Sequence, residues 1–424
     1  MDAQLDEIMR QASAAAGNSR WEEAASLYMK AVGAQPKHRP AWHGLVLALA
    51  MNRQLPLLRG LVDFWQKLGG ERFTLVQDIF TILLTYGLHD SILELAATYP
   101  AQGTEEVLVV YAAACVHVLR DEEDAAFALL VRFKALVEQY REQLPIHPGD
   151  PFNVAYRQGT LVEDLPYVAA LMAGPPPELP QVQLYRPLRF NDAQQVAVAS
   201  CNGLYFDLFA EAYCHAIDAT TQDALIHIHV MEPEAGTLSR IERLMDGMKN
   251  SVLNVSWETQ QPNSSRSYFA SNRFLIAPQL LDLYGRDLVI SDIDIEFVTD
   301  LAELHAKLAG QDFACYAHPG FGPASRYPAG VTYLSHAHGR DIADGIARFV
   351  CSKLHIPHPH NWMLDQAALI SVQRWLRSTR PDVALGRMND LLGPRDTVFR
   401  LHRQDEAAKD AAILSAISKL LPEG

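Results

Sequence analysis

The chain has 424 residues, 49% hydrophobic and 20% charged, the balance of a soluble globular protein long enough for two or three domains. A formal net charge of −14 argues against nonspecific binding to nucleic acid or to an anionic membrane, since both would repel it, while leaving room for a local basic pocket for phosphates. The five cysteines (Cys115, Cys201, Cys214, Cys315 and Cys351) are scattered, odd in number and without a C-x-x-C spacing, which predicts reduced, mostly buried thiols in a cytosolic protein.

The acidic N-terminus, Met1 to Glu7, has no apolar core, so no signal peptide is expected. The longest nearly apolar run, 107–119, is too short to span a bilayer and is interrupted by His117. It reads as a buried helix, and the expectation is a cytoplasmic protein with no transmembrane segment. To about residue 143, apolar residues recur at helical spacing, with breaks at Gly17-Asn18, Gln35-Pro36, Gly69-Gly70, Gly87 and Gln102-Gly103. Ala24, Tyr28, Ala31 and Pro36 match the second helix of a tetratricopeptide repeat, where small residues let two helices approach and an aromatic fills the gap. Trp42 and Leu45 then fall where the next repeat places its first-helix Trp and Leu, and Ile8 lies one period upstream of Trp42. Helices expected near 73–86, 90–97, 105–119 and 122–142 keep the hairpin rhythm without the consensus. The segment therefore resembles tetratricopeptide repeats over one and a half repeats, and a plain helical bundle is the alternative. Either arrangement is a stack of helix pairs, a shape that commonly presents a concave surface to a partner.

A proline-dense connector follows, with His147-Pro148-Gly149-Asp150-Pro151 and Gly174-Pro175-Pro176-Pro177-Glu178-Leu179-Pro180. The expected division is a helical-repeat domain over 1–143, a connector over 144–190 and an α/β domain over 191–424. In that last part short apolar runs near 196–199, 225–230, 252–255, 288–290, 313–316, 331–334 and 398–401 predict strands. Helices are expected near 205–217, 238–248, 268–283, 342–354 and 365–375. Strands separated by such helices argue for an open α/β sheet, which binds ligands beyond the carboxyl ends of its strands.

The sharpest chemical signal is Asp287-Leu288-Val289-Ile290-Ser291-Asp292-Ile293-Asp294. An apolar strand delivers Asp292 and Asp294, and residues two apart on an extended chain share a side, so both can meet one hard divalent cation. Such a cation keeps positions open for diphosphate oxygens. Two acids solvating a strand end are the alternative.

The segment Tyr268-Phe269-Ala270-Ser271-Asn272-Arg273-Phe274-Leu275-Ile276, followed by that Asp-x-Asp strand, resembles GT-A fold glycosyltransferases, and most of all glycosyltransferase family 8, the glycogenin and bacterial galactosyltransferase group. The resemblance covers the C-terminal half. It implies that Arg273 reaches the donor phosphates, as a guanidinium fork does; a surface arginine on an amphipathic helix is the alternative. It implies that the strand and loop Val196 to Tyr205 hold the nucleoside, with Asn202 or Tyr205 at the base or ribose; a turn opening a helix is the alternative there. Tyr327-Pro328-Ala329-Gly330-Val331 resembles the strand that approaches the donor sugar, with Gly330 permitting close backbone approach and Pro328 standing where the family has asparagine. Asn361-Trp362-Met363-Leu364-Asp365-Gln366 resembles the Asp-Gln block, placing Asp365 on sugar hydroxyls and Gln366 near the anomeric carbon; a helix-starting aspartate is the alternative. His402 takes the place of the family's metal-binding histidine, but Asp405 replaces the following glycine and Lys409 is displaced by one residue; a structural or surface histidine is the alternative.

The resemblance thus implies a retaining hexosyltransferase using Mn²⁺ or Mg²⁺ on Asp292, Asp294 and His402, with a nucleotide diphosphate-sugar, a UDP-sugar, as donor. Its acceptor is a glycan or a protein, with a polypeptide held by the helical repeats favoured. Two other classes stay open. One is a scaffold whose transferase domain is degenerate. The other is a metal-dependent hydrolase, for which the pairs His227/His229, His336/His338 and His358/His360 supply candidate ligands.

Overall fold

A computed structural model describes residues 2–144, 156, 158–259, 265–318, 323, 326–356 and 361–401. The chain forms two compact units, Met1–Tyr167 with Pro319–Arg326, and Val168–His318 with Tyr327–Gly424.

The first unit is helical: α1 (Asp2–Gly17), α2 (Trp21–Ala34), α3 (Arg39–Met51), α4 (Leu55–Lys67), α5 (Arg72–Thr85), α6 (His89–Thr98), α7 (Thr104–Leu119) and α8 (Glu123–Tyr140). The turn inside each hairpin is built the same way. Ser19, Arg53, Gly87 and Asp121 all have left-handed backbones, with φ of 57°, 55°, 67° and 59°. The next residue's N–H then returns to a carbonyl five positions back: Arg20 to Ala15, Gln54 to Leu49, Leu88 to Leu83 and Glu122 to His117. That is the Schellman closure, which satisfies carbonyls orphaned at a helix end. Counted along the numbering, these four left-handed residues fall at intervals of 34, so the hairpin period continues through all four pairs. Inside the first two pairs Gly44 lies against the Tyr28 ring, where any Cβ would collide with it. The apolar run in α7 is buried almost throughout, and among the described residues no helix is long and apolar enough to cross a membrane.

The second unit is an α/β domain with a Rossmann-like sheet. Strands β1 (Gln183–Leu184), β2 (Gln195–Asn202), β3 (Ala224–Met231), β4 (Ser251–Glu258), β5 (Asp287–Ser291), β7 (Phe313–Cys315), β8 (Val331–Leu334) and β9 (Leu385–Arg387) form eight strands in the order β1-β4-β3-β2-β5-β8-β7-β9. The central four, β4-β3-β2-β5, are parallel, and β8 runs antiparallel to β5. β3 is buried along its whole length, as expected of a parallel strand covered on both faces. A separate antiparallel pair joins β6 (Ile295–Phe297) to β10 (Phe399–Leu401). Within the proline-rich stretch the chain also forms a helix, Leu165–Ala173, with Pro166 in its first turn, where a missing N–H costs nothing. Cys115, Cys201, Cys214 and Cys315 are buried free thiols and Cys351 is half-buried.

Candidate active site

The site forms where β5 ends. Leu288, Val289 and Ile290 are fully buried, so the strand is fixed by packing on both faces. It stops at Ser291, and Ile293 and Asp294 form a turn. The two acids are therefore not presented by a continuing extended strand. Instead, half-exposed Asp292 and Asp294 alternate with buried Ile293 and Ile295, which puts both acids on the open side.

Asp292 is held from two directions. Its N–H donates to the Gly330 carbonyl at 3.0 Å, and a Cβ on residue 330 would stand 3.3 Å from Asp292 Oδ2. Glycine is what leaves that oxygen room. Asp292 Oδ1 lies 2.7 Å from one terminal nitrogen of Arg273. The other terminal nitrogen is 3.0 Å from Asp365 Oδ2 and donates to the Ala329 carbonyl at 3.1 Å. Arg273 is 5% exposed, against 37% for Asp292, so the guanidinium is a buried brace between an open carboxylate and a closed one.

Asp365 is the closed one. Burial raises its carboxyl above the ordinary aspartate value, with Arg273 and the Gln366 N–H opposing the shift. Gln366 donates that N–H to Asp365 Oδ1 at 2.9 Å. The residue before this helix (Leu364–Thr379) is Met363, at φ 67°. A side chain held in a left-handed backbone costs about 1–2 kcal/mol, and such strain survives where surrounding contacts over-determine the turn. Here Asn361 supplies one such contact: it is fully buried, and Ser267 Oγ donates to its Oδ1 at 2.6 Å. Ser267 belongs to the helix Arg266–Tyr284, which also carries Arg273.

Asn202 closes β2 and accepts the Tyr205 N–H at 2.9 Å, capping the helix Gly203–Thr220. Tyr205 is half-buried with its ring 5.4 Å from that of Phe209. His402 lies outside the described residues, as do His358 and His360. Among the described residues no three His, Cys, Asp or Glu side chains gather as a metal set. His336 and His338 are exposed. His227 and His229 are fully buried on β3, and both ring nitrogens of His227 are engaged, by Tyr284 and Ser256, each at 2.8 Å. Burial pushes the His227 pKa down to about 3, so it sits neutral in the core rather than as an available ligand. The residue that sequence reasoning missed is Glu258, 6% exposed at the end of β4, which binds Tyr268 and Asn272 of the Arg273 helix. A charge closing an apolar strand was its only trace.

No protein-family model matches the sequence. No curated protein matches it. Among solved structures, apo mouse xyloside xylosyltransferase 1 is similar at 11% identity over 46% of this chain and 84% of that one, with a TM-score of 0.32. The glycosyltransferase GlyE of Streptococcus pneumoniae TIGR4 is similar at 13% identity, 47% and 46% coverage, and a TM-score of 0.32. The chain thus spans under half the length of GlyE. The chemistry of the site rests on its own side chains.

Proposed function

We propose that the α/β domain is a GT-A type glycosyltransferase that moves a sugar from a nucleotide diphosphate-sugar, a UDP-sugar, to an acceptor hydroxyl. One observation carries the reading. The sequence blocks around Arg273, Asp292, Gly330 and Asp365, separately similar to family 8 glycosyltransferases, meet on the fork of a single buried guanidinium.

The donor set fits a hard cation: carboxylate oxygens suit Mn²⁺ or Mg²⁺, and Asp292 Oδ2 faces the space left by Gly330. Asp292 and Asp294, with His402, would hold the ion, which when bound would neutralise charge on the departing diphosphate. Arg273 keeps Asp292 oriented through Oδ1 and is itself held by Asp365. Asp365 and Gln366 would bind and orient the sugar, Gly330 would let the backbone approach it, and Asn202 and Tyr205 would flank the nucleoside. The 34-residue turn period supports reading the helical unit as four tetratricopeptide-like hairpins, which favours a polypeptide acceptor or a polypeptide that presents one.

The test is UDP release and thermal stabilisation across a panel of UDP-sugars with Mn²⁺ or Mg²⁺. Wild type should respond to at least one donor, and Asp292→Ala or Asp294→Ala should lower turnover about a hundredfold or more. Silence across the panel, with partner capture intact, would favour the scaffold instead.

A further inference from the structure

The helix Arg266–Tyr284 has a packing problem. From Ser271 through Pro278 every residue is buried, more than two full turns. A helix with one apolar stripe is rotated into place by burying that stripe. A helix buried all round gains similar apolar burial at several rotations, so hydrophobic packing alone does not aim Arg273.

Buried polar contacts at both ends of the helix supply the missing index. The Tyr284 hydroxyl lies 2.8 Å from His227 Nδ1, and His227 Nε2 lies 2.8 Å from Ser256 Oγ. Ser256 Oγ is 2.7 Å from His229 Nδ1, and His229 Nε2 is 3.9 Å from Glu258 Oε2. Glu258 Oε1 then accepts from the Tyr268 hydroxyl at 2.7 Å and from Asn272 Nδ2 at 3.2 Å. Two sets of contacts thus hold the same helix from β3 and β4, one through Tyr284 near its end and one through Tyr268 and Asn272 near its start. One proton arrangement serves the hydrogen-bonded links: Tyr284 donates to His227, His227 Nε2–H to Ser256, and Ser256 to His229 Nδ1; His229 Nε2 and Glu258 Oε2, 3.9 Å apart, make no hydrogen bond. Buried polar groups are costly when unpaired, and a turn of the helix by one residue, 100°, would unpair both its ends.

We propose that these two sets of contacts set the rotation of the Arg273 helix, making Glu258 and, through His227, Ser256 positioning residues for the donor site. The assignment rests on the transferase reading for its functional consequence and on the contacts alone for its structural one. Asn272 is the residue next to Arg273, so the carboxylate that fixes one fixes the direction of the other.

The experiment compares full-length wild type with Glu258→Ala, Glu258→Gln and Ser256→Ala, reading donor KM, acceptor KM, kcat, and amide hydrogen exchange over 266–284. Glu258→Ala and Ser256→Ala should raise donor KM about tenfold with acceptor KM unchanged. Exchange over that helix should quicken in both, while the rest of the chain stays as in wild type. Glu258→Gln keeps an oxygen for Tyr268 and Asn272 and should return donor KM to within about threefold of wild type. Unchanged donor KM, unchanged exchange, or a fall in kcat alone would overturn the proposal, the last because lost folded protein lowers kcat without touching KM. If wild type turns over no donor, the transferase reading fails by itself and the exchange result still decides the positioning. Should Glu258→Ala not fold, Ser256→Ala, which removes one hydroxyl, is judged on the same readouts.

Discussion

Asp365 makes its ion pair with Arg273 from inside the protein, and the two influences on it pull apart. Burial raises its carboxyl pKa and the guanidinium lowers it, with burial the larger. The carboxyl therefore takes up its proton at a higher pH than an ordinary aspartate, whose pKa is about 4. Once protonated, it no longer balances Arg273. Donor kcat/KM is expected to fall on the acid side at a pH above that ordinary value, and Asp365→Asn should lower the rate and flatten that limb. The stability sign is opposite. A carboxyl whose folded-state pKa is raised favours the fold more as pH falls through that pKa. Activity should thus drop in a range where this residue does not weaken the protein, which a pH series of rate and melting temperature would check. Asp365, Arg273, Asp292 and Gly330 were legible as separate motif positions. Their meeting was not, because a contact between residues about ninety positions apart leaves no periodic trace. The Ala329 carbonyl and the Ser267–Asn361 bond were invisible for the same reason.

Among elements, the long parallel strands were readable because continuous apolar runs have few alternatives, whereas β1, β6 and β9 are two or three residues long and carry no period. The hairpin turns show the converse. Three of the four left-handed turn residues, Ser19, Arg53 and Asp121, are not glycine, so the period that their geometry keeps had faded from the composition. The far end of β5 depends on a tie of another kind. Asp287 opens the strand and accepts from Tyr333 at 2.5 Å, the His336 N–H at 2.6 Å and His305 at 2.7 Å. Those bonds join β5 to β8 and to the helix Leu301–Leu308. Burial alone would raise the Asp287 pKa; the hydrogen bonds outweigh it and hold the carboxyl below its ordinary value. Its stabilisation should be full above the unfolded pKa of about 4 and disappear as pH falls through the lower folded value. Asp287→Asn should cost about 1–2 kcal/mol at neutral pH and lose that acid dependence, measured by denaturant unfolding from pH 7 to pH 3.

At the scale of the whole molecule, the described residues bury apolar side chains in both compact units, in clusters that include the following two. One is centred on Trp42, Leu45, Leu58, Ile79 and Leu83 in the helical hairpins, the other on Phe206, Phe209, Ile226, Val289 and Tyr333 around the sheet. A chain of two compact units need not melt as one, since two-state behaviour belongs to single small domains. Calorimetry of the full chain is expected to resolve two transitions. A ligand stabilises only the unit whose folded form it binds. Every residue proposed for the donor lies in the α/β unit. UDP with Mn²⁺, at about a hundred times its dissociation constant, should raise that unit's transition by roughly 5–10 °C and leave the helical transition in place. Asp292→Ala should remove the shift while keeping both transitions. A shift of the helical transition instead would put nucleotide on the repeats and detach the brace around Arg273 from donor binding.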